Sequence, residues 1–470
     1  MMRVSRAVNA WRDESRCAWP VAAGAIVLML GTASCSNSDQ QPAELPGTQR
    51  SDDAGRTTPE VDASMDATTS HPVVDASMDA GSDASQGDGS CATTHIDGGV
   101  PTMCQNQCVD IESDKDNCGG CNQPCGITGT SCQKGVCKCT SPQVVCGSQC
   151  ADVSSDESNC GFCGHNCQGN PCTMGLCQAS SIAMALSGRI SGIAVDSTTV
   201  YWTEGPPTNA GAYGKPFAGG NAVPFGAAKD PRGIVVDLTH LYWVDYGAGS
   251  VVSAPLLGGA PTSLVPPIGD GGVSPGPIAI TSDSQNVYWV DSASGSVNQM
   301  PIQGGSIVPL ATGRLTPMAI AVDATSVYWV DYGSAGNDGS VNKVAIGGTP
   351  NTITPLAISE AEPSAIAVDA TNVYWADRAN PNGTVKSVSI NGGTANPIAI
   401  NQGAPAGVAV DSQYVYWTNY DDNTVLKAPL AGGMAFTLAS GQNNPSAIAV
   451  DDKNVYWANQ GNGTILKVAK

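Results

Sequence analysis

A Tyr-Trp pair recurs seven times in the C-terminal part of the chain, at intervals of about 42 residues. The tyrosines of these pairs are Tyr201, Tyr242, Tyr288, Tyr328, Tyr374, Tyr416 and Tyr456. Each pair lies in a short apolar run, and further short runs separated by Gly- or Asn-containing turns surround it. A unit of this length with four short strands is typical of a propeller blade. The sequence therefore predicts an all-β, seven-bladed β-propeller over residues 181–470.

The fifth copy illustrates the expected blade. Strands are predicted over 365–368, 373–376, 384–390 and 397–400, with a tight Asn382-Gly383 turn before the third strand. The first two runs are apolar on both faces, which indicates sheets that are covered on both sides. The seventh copy contains only three such runs, and 182–186 resemble the missing fourth strand. We therefore expect the two ends of the repeat array to pair and close the ring.

The tetrapeptides around three of the pairs resemble the YWTD repeats of known propellers and, less closely, NHL repeats. They read Tyr242-Trp243-Val244-Asp245, Tyr374-Trp375-Ala376-Asp377 and Tyr416-Trp417-Thr418-Asn419. YWTD domains usually have six blades, whereas seven copies are present here. Propellers of related fold include lactonases and lyases, which use acid-lined metal sites or a catalytic histidine.

Sixteen of the eighteen cysteines lie within residues 91–177, in two copies of eight. Phe162 is the one Phe, Tyr or Trp in this segment, so cross-links must replace an apolar core. The even counts predict four disulfides per copy, with the pairing left open. The first copy is Cys91, Cys104, Cys108, Cys118, Cys121, Cys125, Cys132 and Cys137; the second is Cys139, Cys146, Cys150, Cys160, Cys163, Cys167, Cys172 and Cys177.

Two features of the same segment are also compatible with metal or redox chemistry. Cys118 with Cys121, and Cys160 with Cys163, have the C-x-x-C spacing of zinc or thiol-redox ligands. The acidic stretch 114–117 offers oxygens to calcium, although turn capping is the favoured interpretation. No cofactor is predicted, and calcium stays open.

The second copy also resembles the stigma-specific cysteine-rich protein family. The matching stretch runs Cys146-Gly-Ser-Gln-Cys150-Ala-Asp152, followed by Asp156-Glu-Ser-Asn159-Cys160-Gly161-Phe162-Cys163. The resemblance implies an extracellular module with a role in interactions, and it transfers no catalytic residue.

The N-terminal 35 residues have the pattern of a bacterial export signal. A basic stretch is followed by an apolar run over 18–30, and small residues then precede Cys35 as in a lipobox. We expect lipidation of Cys35, with ordinary signal cleavage as the alternative. Residues 36–90 hold eleven acids against two arginines and predict a disordered acidic linker. The expected location is the outer membrane or cell surface, or otherwise secretion.

Charge narrows the range of partners. The formal net charge of −20 argues against nucleic-acid binding, which requires Lys and Arg to neutralise phosphates. Acids recur two residues after the Trp in most copies, as do aspartates after the first apolar run, and this recurrence favours turn capping. An unidentified extracellular carbohydrate or protein is therefore the expected ligand.

Candidate binding residues are those that differ from their counterparts in most other copies, in loops expected on one propeller face. An aromatic, acidic and arginine-bearing rim suits a sugar or a peptide. The candidates are Arg232, Tyr246, Tyr332, Arg378, Tyr420 and Asp421. The alternative function is a lactonase- or lyase-type enzyme with Glu204, Asp245 and Asp331 around a metal. The one propeller histidine, His240, is expected on the opposite face.

Overall fold

The structure is a computed structural model that describes residues 8–9 and 101–470, except 106, 185, 187, 267–275, 335 and 380–381. Every regular element within these residues is a β-strand. In the same residues, no helix has the length and apolar character needed to cross a membrane. Cys35, the linker 36–90 and Cys91 lie outside the described residues. From the N-terminal 35 residues only strand β1 (Val8–Asn9) is described, and it pairs with β11 (Ile190–Val195).

Each cysteine copy contains two small hairpins. Those of the first copy are β2 (Pro101–Cys104) with β3 (Gln107–Asp110), and β4 (Thr130–Gln133) with β5 (Val136–Cys139). Those of the second are β6 (Val144–Cys146) with β7 (Gln149–Ala151), and β8 (Cys172–Thr173) with β9 (Leu176–Cys177). Strands this short cannot hold a fold without cross-links.

Seven disulfides join the described cysteines. They are Cys104–Cys121, Cys118–Cys132, Cys125–Cys137, Cys139–Cys150, Cys146–Cys163, Cys160–Cys172 and Cys167–Cys177. When the eight cysteines of each copy are numbered 1 to 8 in chain order, the second copy pairs 1–3, 2–5, 4–7 and 6–8. The three described disulfides of the first copy repeat the last three of these pairings. No C-x-x-C pair closes on itself, because its two cysteines bond to different partners. The disulfide-rich region expected before the propeller is therefore present, and its many disulfides indicate an extracellular or secreted protein.

Seven antiparallel sheets follow, six of four strands and the first of five because β1 adds to it, and they confirm the predicted seven-bladed propeller. Blade 1 contains β11 with β12 (Thr199–Glu204), β13 (Gly211–Pro216) and β14 (Val223–Ala227). Blade 2 contains β15 (Pro231–Val236), β16 (His240–Asp245), β17 (Ser250–Pro255) and β18 (Thr262–Val265). Blade 3 contains β19 (Pro277–Ser282), β20 (Asn286–Asp291), β21 (Ser296–Pro301) and β22 (Val308–Ala311). Blade 4 contains β23 (Pro317–Val322), β24 (Ser326–Asp331), β25 (Gly339–Ala345) and β26 (Thr354–Glu360). Blade 5 contains β27 (Pro363–Val368), β28 (Asn372–Asp377), β29 (Gly383–Ser389) and β30 (Asn396–Gln402). Blade 6 contains β31 (Pro405–Val410), β32 (Tyr414–Asn419), β33 (Thr424–Pro429) and β34 (Phe436–Ala439).

Blade 7 combines strands from both ends of the array. Its first three strands are β35 (Pro445–Val450), β36 (Asn454–Asn459) and β37 (Thr464–Ala469), and its fourth is β10 (Ser180–Ala183). Ser180 lies opposite Lys467 and Ala183 lies opposite Ile465. The closing strand thus begins two residues earlier than the predicted 182–186, and a register shift between 181 and 183 ends the regular pairing. Closure of the ring itself is confirmed.

The core lies between the blades. Six of the seven repeat tryptophans and six of the seven repeat tyrosines are among the largest fully buried side chains. The second cysteine copy packs into this core, because Cys160, Cys167, Cys172 and Cys177 belong to the same apolar cluster as Trp417 and Trp457. This copy is therefore attached to the wall of blades 6 and 7.

Candidate functional site

One end of the ring carries seven equivalent aspartates in the turn between strands one and two. One oxygen of each aspartate accepts backbone N–H groups two and three residues on, as Asp323 does from Thr325 and Ser326. The other accepts the hydroxyl of the repeat tyrosine, with O···O distances of 2.7–3.0 Å in all seven blades. The sequence predicted the turn role but not the tyrosine bond, and it missed Asp283, the member in blade 3.

Burial raises the pKa of the repeat tyrosine in every blade. It raises the pKa of Tyr328 to about 12, and the bond to Asp323 acts in the same direction. Burial opposes ionisation of Asp323, but the bonds from Thr325, Tyr328 and Ser326 outweigh it and lower its pKa. The aspartate–tyrosine bond therefore stabilises the turn between strands one and two in every blade. These turns are alike in all seven blades, so they do not distinguish one blade from another.

The opposite end carries the loops between strands two and three (2–3 loops) and the loops that lead from one blade to the next (4–1 loops). The residue two after each Trp, termed here the post-tryptophan position, lies there and is buried in every blade. In blades 1–3 its carboxylate accepts backbone N–H groups of the 4–1 loop: Glu204 from Gly188, Asp245 from Asp230, and Asp291 from Gly276. These acids tie the loop to the blade.

In blades 4–7, the residue three positions before the proline that begins strand one contacts the post-tryptophan residue through its side chain. Arg314 pairs with Asp331 in blade 4. Gln402 accepts from Asn419 at 2.8 Å in blade 6, and Gln442 accepts from Asn459 at 3.1 Å in blade 7. The same oxygens accept the indole N–H of Trp417 and Trp457, each at 2.9 Å. In blade 2 the equivalent residue is Ala228, and the buried indole N–H of Trp243 has no partner among the described residues.

Blade 5 has two acids at these positions and a lysine between them. The Lys386 ammonium lies 2.7 Å from Glu360 Oε2 and 2.8 Å from Asp377 Oδ2, and Trp375 donates to Glu360 at 3.1 Å. Burial, followed by the neighbouring Glu360 carboxylate, raises the pKa of Asp377 to about 7 against the attraction of Lys386. We call Glu360, Asp377 and Lys386 the blade-5 triad. Leu426 and Leu466 occupy the position of Lys386 in blades 6 and 7, facing the Trp in the same register.

The residue three after each Trp, termed the rim position, donates its N–H to the carbonyl of the residue before strand one. The N···O distance is 2.8–3.1 Å in all seven blades. The rim residues are Gly205, Tyr246, Ser292, Tyr332, Arg378, Tyr420 and Gln460. Four predicted binding residues therefore occupy one equivalent position, a relationship that aligning the copies on the Trp would have revealed.

Four of the predicted residues gather across blades 4–6 together with Glu362, which the sequence analysis missed. The Arg378 guanidinium lies 5.2 Å from the centre of the Tyr420 ring. Burial, then a hydrogen bond and the charge of Glu362, raises the pKa of Tyr332 to about 12. Burial lowers the pKa of Arg378, while Tyr332, Tyr420, Asp421 and Glu362 all oppose that shift electrostatically. We call these five residues the tyrosine–arginine cluster.

The remaining two predicted residues form a separate group in blade 2. The Arg232 guanidinium is buried, bonds to Asp230 at 2.6 Å and lies 4.9 Å from the centre of the Tyr246 ring. Asp230 also pairs with Arg189 of the blade-1 loop at 3.1 Å. Arg232 thus supports its loop from inside, whereas Tyr246 is half-buried at the rim.

Clusters of side chains that could ligate a metal are confined to the cysteine region among the described residues. Within the described ranges, groups of three ligating residues occur only among cysteines, Cys118 with Cys125 and Cys137, and Cys160 with Cys167 and Cys177. All six are in disulfides. Glu204, Asp245 and Asp331 do not converge, since each is bonded within its own blade. Asp114 accepts the N–H of Asp116 at 2.7 Å, as expected of a turn cap.

Comparison with known proteins supports the fold. No family model matches the chain, and no curated protein matches it. A streptogramin B lyase structure matches with a TM-score of 0.52 and 13% identity, covering 62% of this chain and 96% of that one. A catalytically inactive virginiamycin B lyase from Staphylococcus aureus with quinupristin gives 0.52 and 12%, covering 62% and 98%. A nidogen/laminin complex overlaps loosely, with a TM-score of 0.39 and 21% identity over 47% and 85% of the two chains.

Proposed function

We propose that this propeller is an extracellular binding protein that holds a carbohydrate or protein ligand on the tyrosine–arginine cluster. The observation that carries the proposal is the convergence of three rim residues and two loop acids from consecutive blades. Aromatic and arginine side chains supply contact area and directed hydrogen bonds, and they are enriched where binding energy concentrates. The same positions in blades 1, 3 and 7 carry Gly205, Ser292 and Gln460, so the ring is chemically asymmetric.

The cluster is also preorganised, which favours binding over a purely structural role. Its backbone is fixed by the bonds from rim N–H groups to loop carbonyls, and the Arg378 N–H donates to Glu362 at 3.1 Å. A rigid surface loses little conformational entropy when a ligand binds. The blade-5 triad adjoins it along the chain, because Asp377 directly precedes Arg378 and Glu360 is two residues before Glu362.

The proposed setting is the bacterial surface. Lipidation at Cys35 would anchor the chain, and the acidic linker would space the folded parts from the membrane. Fatty-acid labelling and membrane fractionation of the unmutated protein and of Cys35→Ala test this part. An unlabelled, soluble unmutated protein would contradict the anchor and leave the binding proposal standing.

The binding proposal is tested with the purified exported protein on an array of bacterial surface glycans and on immobilised candidate proteins. Arg378→Ala and Tyr420→Ala should each weaken retention of the ligand by about 2 kcal/mol or more. His240→Ala, at the other end of the ring, is the matched control and should leave retention unchanged. Retention that survives both cluster variants but is lost in the control would refute the site.

A further inference from the structure

A second candidate site lies where the second cysteine copy meets the propeller. A pocket of about 570 Å³ opens between Phe162 and His165 of that copy and Tyr414, Lys427 and Phe436 of blade 6. It lies on the side of the ring with the aspartate–tyrosine turns, away from the tyrosine–arginine cluster. Its volume is within the range of sites that take small organic ligands. We call it the junction pocket.

The walls of the junction pocket are aromatic and apolar. Phe162 is 51% exposed and Phe436 is 48% exposed, so two rings face solvent at this junction. Phe162 stacks on His165 with ring centres 4.7 Å apart and an interplanar angle of 2°. His165 in turn donates from Nδ1 to the carbonyl of Cys160 at 2.5 Å. Disulfides and this bond hold the aromatic wall rigid.

One cation lines this apolar pocket. Lys427 is 5% exposed, and its ammonium lies 4.6 Å from the centre of the Tyr414 ring and 5.9 Å from that of Phe162. Among the residues that the structure describes, it has neither a hydrogen-bond acceptor nor a carboxylate partner. Burial lowers the pKa of Lys427, against the attraction of Asp411. An ammonium that lacks an acceptor is costly to bury, and ring faces compensate only in part.

Two comparisons show that the missing acceptor is particular to Lys427. Lys343 lies opposite the repeat tyrosine of blade 4, as Lys427 does in blade 6, and it donates to the carbonyl of Ile390 at 2.6 Å. The nearby Asp411 is already engaged, because it bonds to Lys470 at 2.6 Å and accepts the Tyr416 hydroxyl at 2.9 Å. Neither a carbonyl nor a carboxylate of the described chain therefore completes the Lys427 site.

We propose that the junction pocket binds an aromatic monocarboxylate, with the carboxylate on the Lys427 ammonium and the ring system against Phe162, Tyr414 and Phe436. The single cation selects one negative charge, and the surrounding rings select a flat apolar body. This site is independent of the ligand proposed for the tyrosine–arginine cluster, because it shares no residue with that cluster.

The test is calorimetric binding of 2-naphthoate and of neutral 2-naphthamide to the purified exported protein with its disulfides intact. We expect 2-naphthoate to bind at least about tenfold more tightly than the amide, since only the acid forms a charge-assisted bond. Lys427→Met keeps the apolar stem and should remove this preference. Lys467→Met is the matched control, because Lys467 has the same register in blade 7 and lies over Phe217 at 5.8 Å.

A second variant guards against misfolding. Phe162→Ala changes a half-exposed ring outside the propeller and should weaken both naphthalene compounds, while melting temperature and disulfide content report on the fold. Arg378→Ala should leave 2-naphthoate binding unchanged, which separates this site from the surface-ligand site. Equal affinity for acid and amide in the unmutated protein, or a preference that survives Lys427→Met, would overturn the proposal. Absence of 2-naphthoate binding would do the same.

Discussion

Removal of the lysine from the blade-5 triad should destabilise the propeller, and the size of the effect should depend on pH. Lys386→Leu installs the side chain that blades 6 and 7 carry at this position. It leaves the buried carboxylates of Glu360 and Asp377 without their cation. Loss of one partner from a buried ion pair costs about 3–5 kcal/mol, and we expect a cost in this range at pH 8.

The pH dependence follows from the raised pKa of Asp377. Its folded value of about 7 exceeds the ordinary 3.8, so between these values the folded state binds more protons than the unfolded state. The contribution of this group to stability therefore decreases as the pH rises through that window. At pH 5 Asp377 is already protonated, and Lys386→Leu should cost less than at pH 8.

A triple variant provides the matched comparison. Glu360→Gln with Asp377→Asn and Lys386→Leu reproduces the amide pair of blades 6 and 7. Because a buried ion pair and its isostere often contribute similarly, we expect stability within about 1 kcal/mol of the parent. Its stability should also change less between pH 4 and 7. Urea unfolding followed by tryptophan fluorescence measures all three proteins. A cost for Lys386→Leu that is equal at pH 5 and 8, or below about 1 kcal/mol at pH 8, would refute the reasoning.

Three further outcomes follow from the same geometry. Ala228→Gln should supply the acceptor that the Trp243 indole lacks and raise unfolding stability by about 1 kcal/mol, while an unchanged urea midpoint would contradict the equivalence of the blades. Replacement of Ser180–Ala183 by alternating Gly and Pro removes the ladder with β37 and should lower the stability of the whole ring by about 2–4 kcal/mol, which the melting temperature reports. Asp323→Asn should cost about 1–3 kcal/mol at pH 7. That difference should shrink as the pH falls below 3.8, because the folded pKa of Asp323 is lowered. A difference that does not change with pH would contradict an ionised Asp323 in the folded protein.

The repeat made the fold predictable, and the cysteine count did the same for the preceding region. A Tyr-Trp pair that recurs at a fixed interval indicates one blade per copy. The incomplete last copy indicates that the ring is closed by a strand from before the first copy. Disulfide pairing was beyond prediction, because spacing within one copy permits many connectivities. Asp283 was missed because strand one of blade 3 ends in Thr281-Ser282, so the turn was less evident than where an apolar run precedes the aspartate.

The candidate site was predicted in part. Sequence differences identified Tyr332, Arg378, Tyr420 and Asp421, which the structure brings together across three blades. Glu362 belongs to the same cluster but lies before strand one, 16 residues before Arg378, and nothing local relates the two. Arg232 was expected at the rim, whereas the structure buries it, paired with Asp230 and packed against the Tyr246 ring. Packing between blades decides such placements, and it has no periodic signal in the sequence.

Closure through β10 has a consequence for how the protein is made. Ser180 pairs with Lys467, about 290 residues further along the chain. A chain that emerges from N- to C-terminus at roughly 5–20 residues per second exposes β10 for about 15–60 s before its partner exists. During that interval the ring is still an open row of blades with unpaired edges. Folding without aggregation therefore requires those edges to be protected until β37 has been synthesised. Variants of the chain in which β10 and β37 are synthesised closer together in time should aggregate less.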